Sequence, residues 1–161
     1  MDTLMIFLAQ YLHLALIAGT LVFWLLQKRA VRFNMFFFEC VSLPLTLMTA
    51  RIMGYFFYHP RPFVALHISP LIPHAADNGF PSDHTLLGFA LGALVFTYDK
   101  RWGTVLCLLA LLLGISRIYV SVHSPLDVLG SFVVSVGVLI FLQVLRKSFL
   151  KRNADGDISS L

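Results

Sequence analysis

Long, almost uncharged apolar stretches are the feature that most constrains how this chain of 161 residues can fold. A helix needs roughly 20 apolar residues to cross about 30 Å of hydrocarbon, and inside a membrane only helices and closed barrels satisfy every backbone hydrogen bond. With 58% hydrophobic and 12% charged residues, the composition lies outside that of ordinary soluble proteins. The sequence therefore predicts an all-α, polytopic membrane helix bundle with about five transmembrane helices, at Leu4–Leu26, Phe33–Tyr58, Ser82–Tyr98, Trp102–Val122 and Pro125–Leu145.

The length of the chain predicts a single domain. We expect residues 1–152 to form one transmembrane domain and the polar residues 153–161 to form a disordered tail. The first apolar run has no basic segment before it and is too long for the core of a signal peptide, so we expect it to be retained. Cys40 and Cys107 both lie inside apolar runs, which argues against a disulfide framework.

The basic residues lie in short clusters between apolar runs, a pattern that indicates membrane topology rather than nucleic-acid binding. Nine of the twelve follow the first, third and fifth runs, and the positive-inside rule makes that face cytoplasmic. We therefore expect the N-terminus, the 58–81 connection and the 122–125 turn to lie outside. The nine residues are Lys28, Arg29, Arg32, Lys100, Arg101, Arg146, Lys147, Lys151 and Arg152.

The stretch SRIYVSVHSPLD at 116–127 places Arg117, His123 and Asp127 inside an otherwise apolar sequence. Ionisable residues in or beside a spanning segment are rare unless they function or pair. Each also has an ordinary structural explanation: Arg117 as a contact with a lipid headgroup, His123 as an interfacial histidine, and Asp127 as a cap of the next helix. Together they predict a functional site at the outer face, and Arg51 and Arg61, which also fall near that face, indicate that its ligand is anionic.

Three segments converge on the outer face: HPRPF at 59–63, FPSDHT at 80–85 and SRIYVSVHSPLD at 116–127. As a set they resemble the three signature motifs of the type 2 phosphatidic acid phosphatase superfamily, the membrane lipid phosphate phosphatases. The third motif matches fully, and the second matches except that Asp83 stands where most members have glycine. The first keeps its arginine, but Gly54 replaces the lysine expected seven positions earlier. Arg51 is the nearest basic substitute, about 4.5 Å deeper along a helix.

The chemistry of phosphoryl transfer suits these residues. It needs stabilisation of the non-bridging oxygens, an in-line nucleophile and a proton for the leaving oxygen. The planar fork of an arginine binds phosphate through two donors, and a serine at a helix start can add its hydroxyl and the helix amides. The same serine can also be only an N-cap. The candidate phosphate-binding residues are Arg51, Arg61, Ser82, Asp83 and Arg117.

The resemblance also assigns the catalytic residues. It implies that His123 attacks phosphorus to form a phosphohistidine, that Asp127 orients it, and that His84 protonates the leaving group and then helps to activate water. Asp83 has two interpretations: its carboxylate either stabilises the start of a helix or restrains an arginine beside a second phosphate. His13 belongs to no motif, and we expect it to be a core or interfacial histidine.

No metal-ligand signature accompanies these motifs. The spacings of the histidines and aspartates on the outer face fit no compact ligand pattern. The resemblance implies a metal-independent phosphatase, so we expect no metal and no cofactor.

Within the superfamily, the sequence FYHPRPF at 57–63 together with PSDH at 81–84 is most similar to the bacitracin-resistance type of undecaprenyl-diphosphate phosphatase. The resemblance implies hydrolysis of undecaprenyl diphosphate to undecaprenyl phosphate, which recycles the carrier lipid of cell-wall synthesis. The enzyme would be an integral protein of a bacterial inner (plasma) membrane, with its active site facing the periplasm or cell exterior. Its partners would be the lipid substrate and membrane lipids, with no nucleic acid.

Other functions remain open from the sequence. A phosphatidylglycerophosphate phosphatase or a broad lipid phosphate phosphatase would share the same motifs. An internal repeat would favour a small anion transporter, and the sequence has no visible repeat. Loss of His84, His123 or Asp127 would favour a catalytically dead membrane protein, but all three residues are present. The 58–81 connection is either a lid or lipid entrance, or a plain interfacial segment.

Overall fold

The computed structural model describes residues 1–158, with side chains described through Phe149. Within that range the chain is almost entirely helical, and its only β-type pairing is one isolated bridge, which confirms the all-α prediction. Helix α6 continues into the segment expected to be a disordered tail, while residues 159–161 lie outside the described residues. The helices are α1 Asp2–Leu26, α2 Arg29–Phe56, α3 Pro62–Ala65, α4 Asp83–Tyr98, α5 Lys100–Tyr119 and α6 Pro125–Ile158.

All five predicted spans are helices, and among the described residues four of them are long and apolar enough to cross a membrane. These are α1, α2, α5 and the Pro125–Phe149 part of α6. Helix α4 has 16 residues, which corresponds to about 24 Å. It can be short because it packs against α1, α2, α5 and α6, so that protein rather than lipid surrounds most of its length.

Helix α4 forms the centre of the bundle, and ten of its 16 residues are buried. The four-residue spacing of Gly88 and Gly92 would let a neighbouring helix approach closely, and the structure shows this approach. A Cβ atom at Gly88 would lie 3.0 Å from Cβ of Ala110, and one at Gly92 would lie 3.0 Å from the backbone nitrogen of Cys107, both on α5. At the turn between the two helices, Gly103 packs directly on the backbone of Phe96. Helices α4 and α5 therefore form a tightly packed antiparallel hairpin.

Buried serines of α6 fix its register against α4. Ser131 Oγ donates to the carbonyl of Ser82 at 2.9 Å, and Ser135 Oγ donates to the carbonyl of Leu86 at the same distance. Hydroxyl-to-backbone bonds of this kind hold helices together where the hydrophobic effect is weak, as in a membrane. Because Ser82 begins the second motif, these bonds also place that motif beside the start of α6.

The bundle has one end that carries the motifs and another that carries the basic clusters. The start of α1 lies at the motif end, because Tyr119 Oη donates to Asp2 Oδ1 at 2.8 Å. The opposite end of α1 meets the start of α5, where the rings of Phe23 and Trp102 lie 6.0 Å apart. The N-terminus and the three motifs are therefore on the same side, as the sequence predicted, and the clusters around Lys28 and Lys100 are on the other.

The connection between α2 and α4 is folded onto the motif end. It includes the short helix α3, and its amides at Phe63 and Leu71 donate to the carbonyls of Ser121 and Val120 at 3.2 Å each. Ile72 is buried against Val120 and neighbouring apolar side chains. This segment forms a wall of the site beside the α5–α6 turn.

Candidate active site

The three motifs meet at one end of the bundle because a small loop pairing draws the first two together. Pro60 and Asn78 form an isolated antiparallel bridge, and the Gly79 amide donates to the carbonyl of His59 at 2.8 Å. The Ser82 amide then donates to the carbonyl of Asp127 at 3.3 Å, which joins the second motif to the third. The convergence predicted from topology is therefore confirmed.

His123 lies at the centre of this end and is 2% exposed. Its Nδ1 is 3.0 Å from the carbonyl oxygen of Gly79, and its Nε2 is 3.1 Å from Nη1 of Arg61. A carbonyl only accepts, so Nδ1 carries the proton, and in the neutral ring Nε2 then carries the lone pair. Nη1 of Arg61 also lies 3.4 Å from Nδ1, so the guanidinium lies against the ring rather than along the Nε2 lone pair. Burial lowers the pKa of His123 below its ordinary value, although the hydrogen bond with Asp127 opposes the shift. A neutral, nucleophilic Nε2 results.

Asp127 is fully buried and has two histidine neighbours. Its Oδ2 lies 3.5 Å from Nδ1 of His123 and accepts from the Ser124 amide at 2.7 Å. Its Oδ1 lies closer, at 2.8 Å, to Nδ1 of His59. The carboxylate thus stands beside the predicted nucleophile, but in this structure its shorter histidine contact is to a residue outside the predicted catalytic set.

Arg61 is buried and bound mainly to protein groups rather than open for phosphate. Its Nε donates to Asp77 at 2.7 Å, and its Nη1 donates to the carbonyl of Val122 at 2.9 Å. Burial raises the pKa of Asp77, but the hydrogen bond and charge of Arg61 outweigh it, so that the pKa lies below its ordinary value. Nη1 of Arg61 also lies beside Nε2 of His123, so Arg61 packs against the imidazole ring and places a positive charge next to it.

Arg117 is a buried arginine with two N–H groups that no described residue accepts. It is 3% exposed, and its Nη1 donates to the carbonyl of Ala9 in α1 at 3.3 Å. Its Nε and Nη2 are buried and have no hydrogen-bond partner among the described residues. Leaving a buried donor unpaired costs about 1–3 kcal/mol. The Nε–Nη2 edge of an arginine is the planar fork that can bind two phosphate oxygens. Phosphate binding by Arg117 stays a prediction.

Ser82 is the N-cap of α4 but makes no side-chain capping bond there. Its buried Oγ lies 3.0 Å from Oγ1 of Thr85. His84 follows in the first turn, and its ring packs edge-on against His13 of α1, with centroids 4.8 Å apart. His13 therefore lies beside a predicted catalytic residue, and its buried Nδ1 has no partner among the described residues.

The two departures from the family's motifs meet in space. Arg51 Nη2 lies 3.3 Å from Oδ2 of Asp83, and the two side chains are 75% and 55% exposed. A Cβ atom at Gly54 would lie 2.9 Å from the carbonyl oxygen of Phe80, so a lysine at that position would require the backbone to move. An exposed arginine–aspartate pair therefore lies at the start of α4, in a chain that has Gly54 and Asp83 where the family's motifs have lysine and glycine.

Asn78 and Gly79 are site residues that the sequence analysis missed. Asn78 Oδ1 accepts from the amides of His59 and Phe80, while its Nδ2 donates to the carbonyls of Gly54 and Phe57. A Cβ atom at Gly79 would lie 3.1 Å from Oδ2 of Asp127. The sequence signal for both was weak, since asparagine followed by glycine also marks ordinary turns.

The remaining loop histidine near the site is His74, whose ring centroid lies 6.0 Å from that of His123. Among the residues that the structure describes, no group of three His, Cys, Asp or Glu side chains is placed to share a metal ion.

Comparisons with known proteins agree with this arrangement. Residues 37–149 match the family model of the PAP2 superfamily. The chain is 35% identical over 147 residues to the bacitracin transport permease protein BcrC of Bacillus licheniformis, covering 89% of this chain and 72% of that protein. It is 36% identical over 136 residues to the undecaprenyl-diphosphatase BcrC of Bacillus subtilis, covering 84% and 70% respectively. The crystal structure of Aquifex aeolicus LpxE has a similar fold, with a TM-score of 0.69, 24% identity, and coverage of 87% and 83%.

Proposed function

The chain belongs to the PAP2 superfamily, and from this membership we propose that it is an integral membrane phosphatase that hydrolyses undecaprenyl diphosphate to undecaprenyl phosphate and inorganic phosphate. The observation that carries the chemistry is the buried His123, whose Nδ1 is held by a carbonyl while its Nε2 keeps a lone pair. The diphosphate substrate is supported by the name undecaprenyl-diphosphatase, which the Bacillus subtilis relative carries. Membership of the family and the four membrane-spanning helices support a lipid substrate.

Each residue then has a defined task. Nε2 of His123 attacks the terminal phosphorus, and the electron pair of the bridging P–O bond leaves with the lipid phosphate. The fork of Arg117 binds the non-bridging oxygens of the transferred group. His84, in the first turn of α4, supplies a proton to the leaving oxygen when one is needed. It then takes a proton from the water that cleaves the phosphohistidine and regenerates neutral His123.

The Arg51–Asp83 pair supports the choice of a diphosphate over a monophosphate. Exposed ion pairs contribute only about 0–1 kcal/mol to stability, so stability alone gives little reason for this pair. At the start of α4 it lies where the second phosphate of a diphosphate would pass. Asp83 would hold Arg51 in place to bind that leaving phosphate.

Phosphate release from purified protein tests the function. Undecaprenyl diphosphate, undecaprenyl phosphate, phosphatidic acid and phosphatidylglycerophosphate would be compared in detergent, with and without chelator. We expect the highest kcat/KM for the diphosphate and no loss in chelator. A clear preference for a lipid monophosphate would overturn the proposed substrate, and no phosphate release from any of the four would overturn the proposed function.

We expect Asp83→Gly to lower kcat/KM for undecaprenyl diphosphate about tenfold more than for a lipid monophosphate. The physical reason is loss of the carboxylate that holds Arg51, and a tenfold change corresponds to about 1.4 kcal/mol in the transition state. Arg51→Gln and the double variant complete a cycle in which the two losses should not add, because the residues act as a pair. Equal losses on both substrates would show that the pair does not recognise the second phosphate.

The site is proposed to face the cell exterior or periplasm, since the clusters of basic residues are at the opposite end of the bundle. A cysteine introduced at the exposed Ala65 should then react with a membrane-impermeant maleimide in intact cells. A cysteine at the exposed Lys28 is the matched control and should react only after the cells are opened. Both would be made in a chain whose Cys40 and Cys107 are serine. The reverse labelling pattern would invert the proposed orientation.

A further inference from the structure

The carboxylate of Asp127 is shared between a motif histidine and a histidine outside the predicted catalytic set. Oδ1 lies 2.8 Å from Nδ1 of His59, whereas Oδ2 lies 3.5 Å from Nδ1 of His123. The Ser124 amide donates to Oδ2 at 2.7 Å. Since Asp127 is 0% exposed, its carboxylate is out of reach of bulk water. His59 and Ser124 therefore determine which way its two oxygens point.

The direction of the contact with His59 follows from the chemistry of the groups. An ionised carboxylate only accepts hydrogen bonds, so Nδ1 of His59 must be the donor. A hydrogen bond to an ionised group is roughly twice as strong as one between neutral groups. The 2.8 Å contact is thus well suited to fix the plane of the Asp127 carboxylate.

The backbone of His59 is held without help from its imidazole. Its amide donates to Oδ1 of Asn78 at 2.9 Å, and its carbonyl accepts from the Gly79 amide at 2.8 Å. The ring itself stacks on Phe57, with centroids 6.0 Å apart and planes 12° apart, and the side chain is 28% exposed. Loss of the imidazole should therefore leave the loop in place, which separates a role in the site from a role in folding.

We propose that His59 is a positioning residue, which fixes Asp127 through Oδ1 so that Oδ2 faces Nδ1 of His123. The proposal rests on the proposed phosphatase function. When Nε2 of His123 bonds to phosphorus and the electron pair of the broken P–O bond leaves with the lipid phosphate, the imidazole ring becomes positively charged. Its Nδ1–H is then better stabilised by a carboxylate than by the neutral carbonyl of Gly79, which is its nearer partner now.

This role predicts an effect on kcat rather than on KM. Positive charge on His123 exists only after the attack has begun, so the contact with Asp127 strengthens in the transition state and not in the bound substrate. Phosphate binding depends instead on Arg117, whose fork does not touch His59 or Asp127. A variant at position 59 should therefore bind substrate normally and turn it over slowly.

Three variants test the proposal with undecaprenyl diphosphate as the substrate. His59→Phe keeps a ring that can stack on Phe57 but removes the donor, and we expect kcat to fall roughly tenfold or more, with KM changed less than about twofold. His59→Asn places an amide N–H near the position of Nδ1 and should restore most of the lost kcat. Phe57→Leu is the matched control, since it removes the stacking and leaves the hydrogen bond.

The outcomes are distinct. Full kcat in His59→Phe, or a loss in Phe57→Leu as large as in His59→Phe, would overturn the positioning role while leaving the phosphatase function intact. If His59→Phe does not fold, His59→Asn decides: a kcat near wild type supports the proposal, and a kcat reduced roughly tenfold overturns it. Failure of the wild-type protein to release phosphate from any lipid would instead overturn the proposed function.

Discussion

Replacing His123 by alanine is expected to abolish phosphate release, with kcat falling on the order of 10⁴-fold or more, as is usual when a covalent nucleophile is removed. The reason is that the lone pair of Nε2 on His123, a buried residue of the α5–α6 turn in contact with Arg61, is the proposed nucleophile. Wild-type protein mixed with terminally labelled undecaprenyl diphosphate and quenched in alkali should carry label on histidine. The alanine variant should carry none.

The control for this experiment is His67→Asn. His67 is exposed and has φ 53, a conformation that asparagine also adopts readily. We expect this variant to keep wild-type activity and labelling. Activity retained in His123→Ala, or label that persists in it, would contradict the phosphohistidine mechanism.

The same residue determines the expected response to acid. Burial lowers the pKa of His123, so the neutral, nucleophilic form persists to a lower pH than for an ordinary histidine. The acid limb of kcat/KM should therefore lie below the usual histidine range. An acid limb at or above that range would show that a different group limits the reaction, or that His123 is stabilised as the cation.

Arg117→Met is expected to remove activity while leaving the protein at least as stable as the wild type. Two buried donors of Arg117 have no partner among the described residues, and replacing a poorly paired buried charge with an apolar side chain of similar length is often neutral or stabilising. The same change removes the fork that we propose binds the transferred phosphate, which should cost roughly 10²- to 10³-fold or more in kcat/KM.

Two measurements separate these effects. Thermal unfolding in detergent should show an unchanged or higher Tm for Arg117→Met, and phosphate release should be strongly reduced. Arg101→Met, at the exposed opposite end of α5, is the matched control and should change neither quantity much. A large fall in Tm for Arg117→Met would mean that the guanidinium supports the fold, and undiminished activity would remove it from the phosphate site.

The helices were predictable because their signal is local. Runs of about 20 apolar residues give nearly the same ends in the sequence and the structure, as with Leu4–Leu26 against α1 at Asp2–Leu26. For α4 the predicted Ser82–Tyr98 and the observed Asp83–Tyr98 also agree, but the sequence does not show that other helices surround this short segment. Lone Gly88 and Gly92 indicated close packing, and the structure identifies α5 as the neighbour.

The site was predictable only where its residues belong to motifs. His123 and Asp127 are four residues apart, so the short α5–α6 turn keeps them close together. His59 and Asp127 are 68 residues apart and His13 and His84 are 71 apart, so no spacing rule could pair them. His59 lies in the first segment, HPRPF, but had no assigned role, and His13 was interpreted as a core or interfacial residue. Their contacts with Asp127 and His84 arise from tertiary packing, which a single sequence does not encode in any short window.

The α4–α5 hairpin is closed at one end by a tight turn and carries two predicted site residues at its other end. Its closed end is the turn at Asp99, where Gly103 packs on the backbone of Phe96, and its two tips carry His84 and Arg117. Helix α4 is about 24 Å long and helix α5 is about 30 Å long. A larger side chain at Gly103 would push the two helices apart at the turn, and over these lengths it would also change the distance between His84 and Arg117. The spacing between His84 and Arg117 therefore depends partly on the close packing at Gly103, at the opposite end of the hairpin.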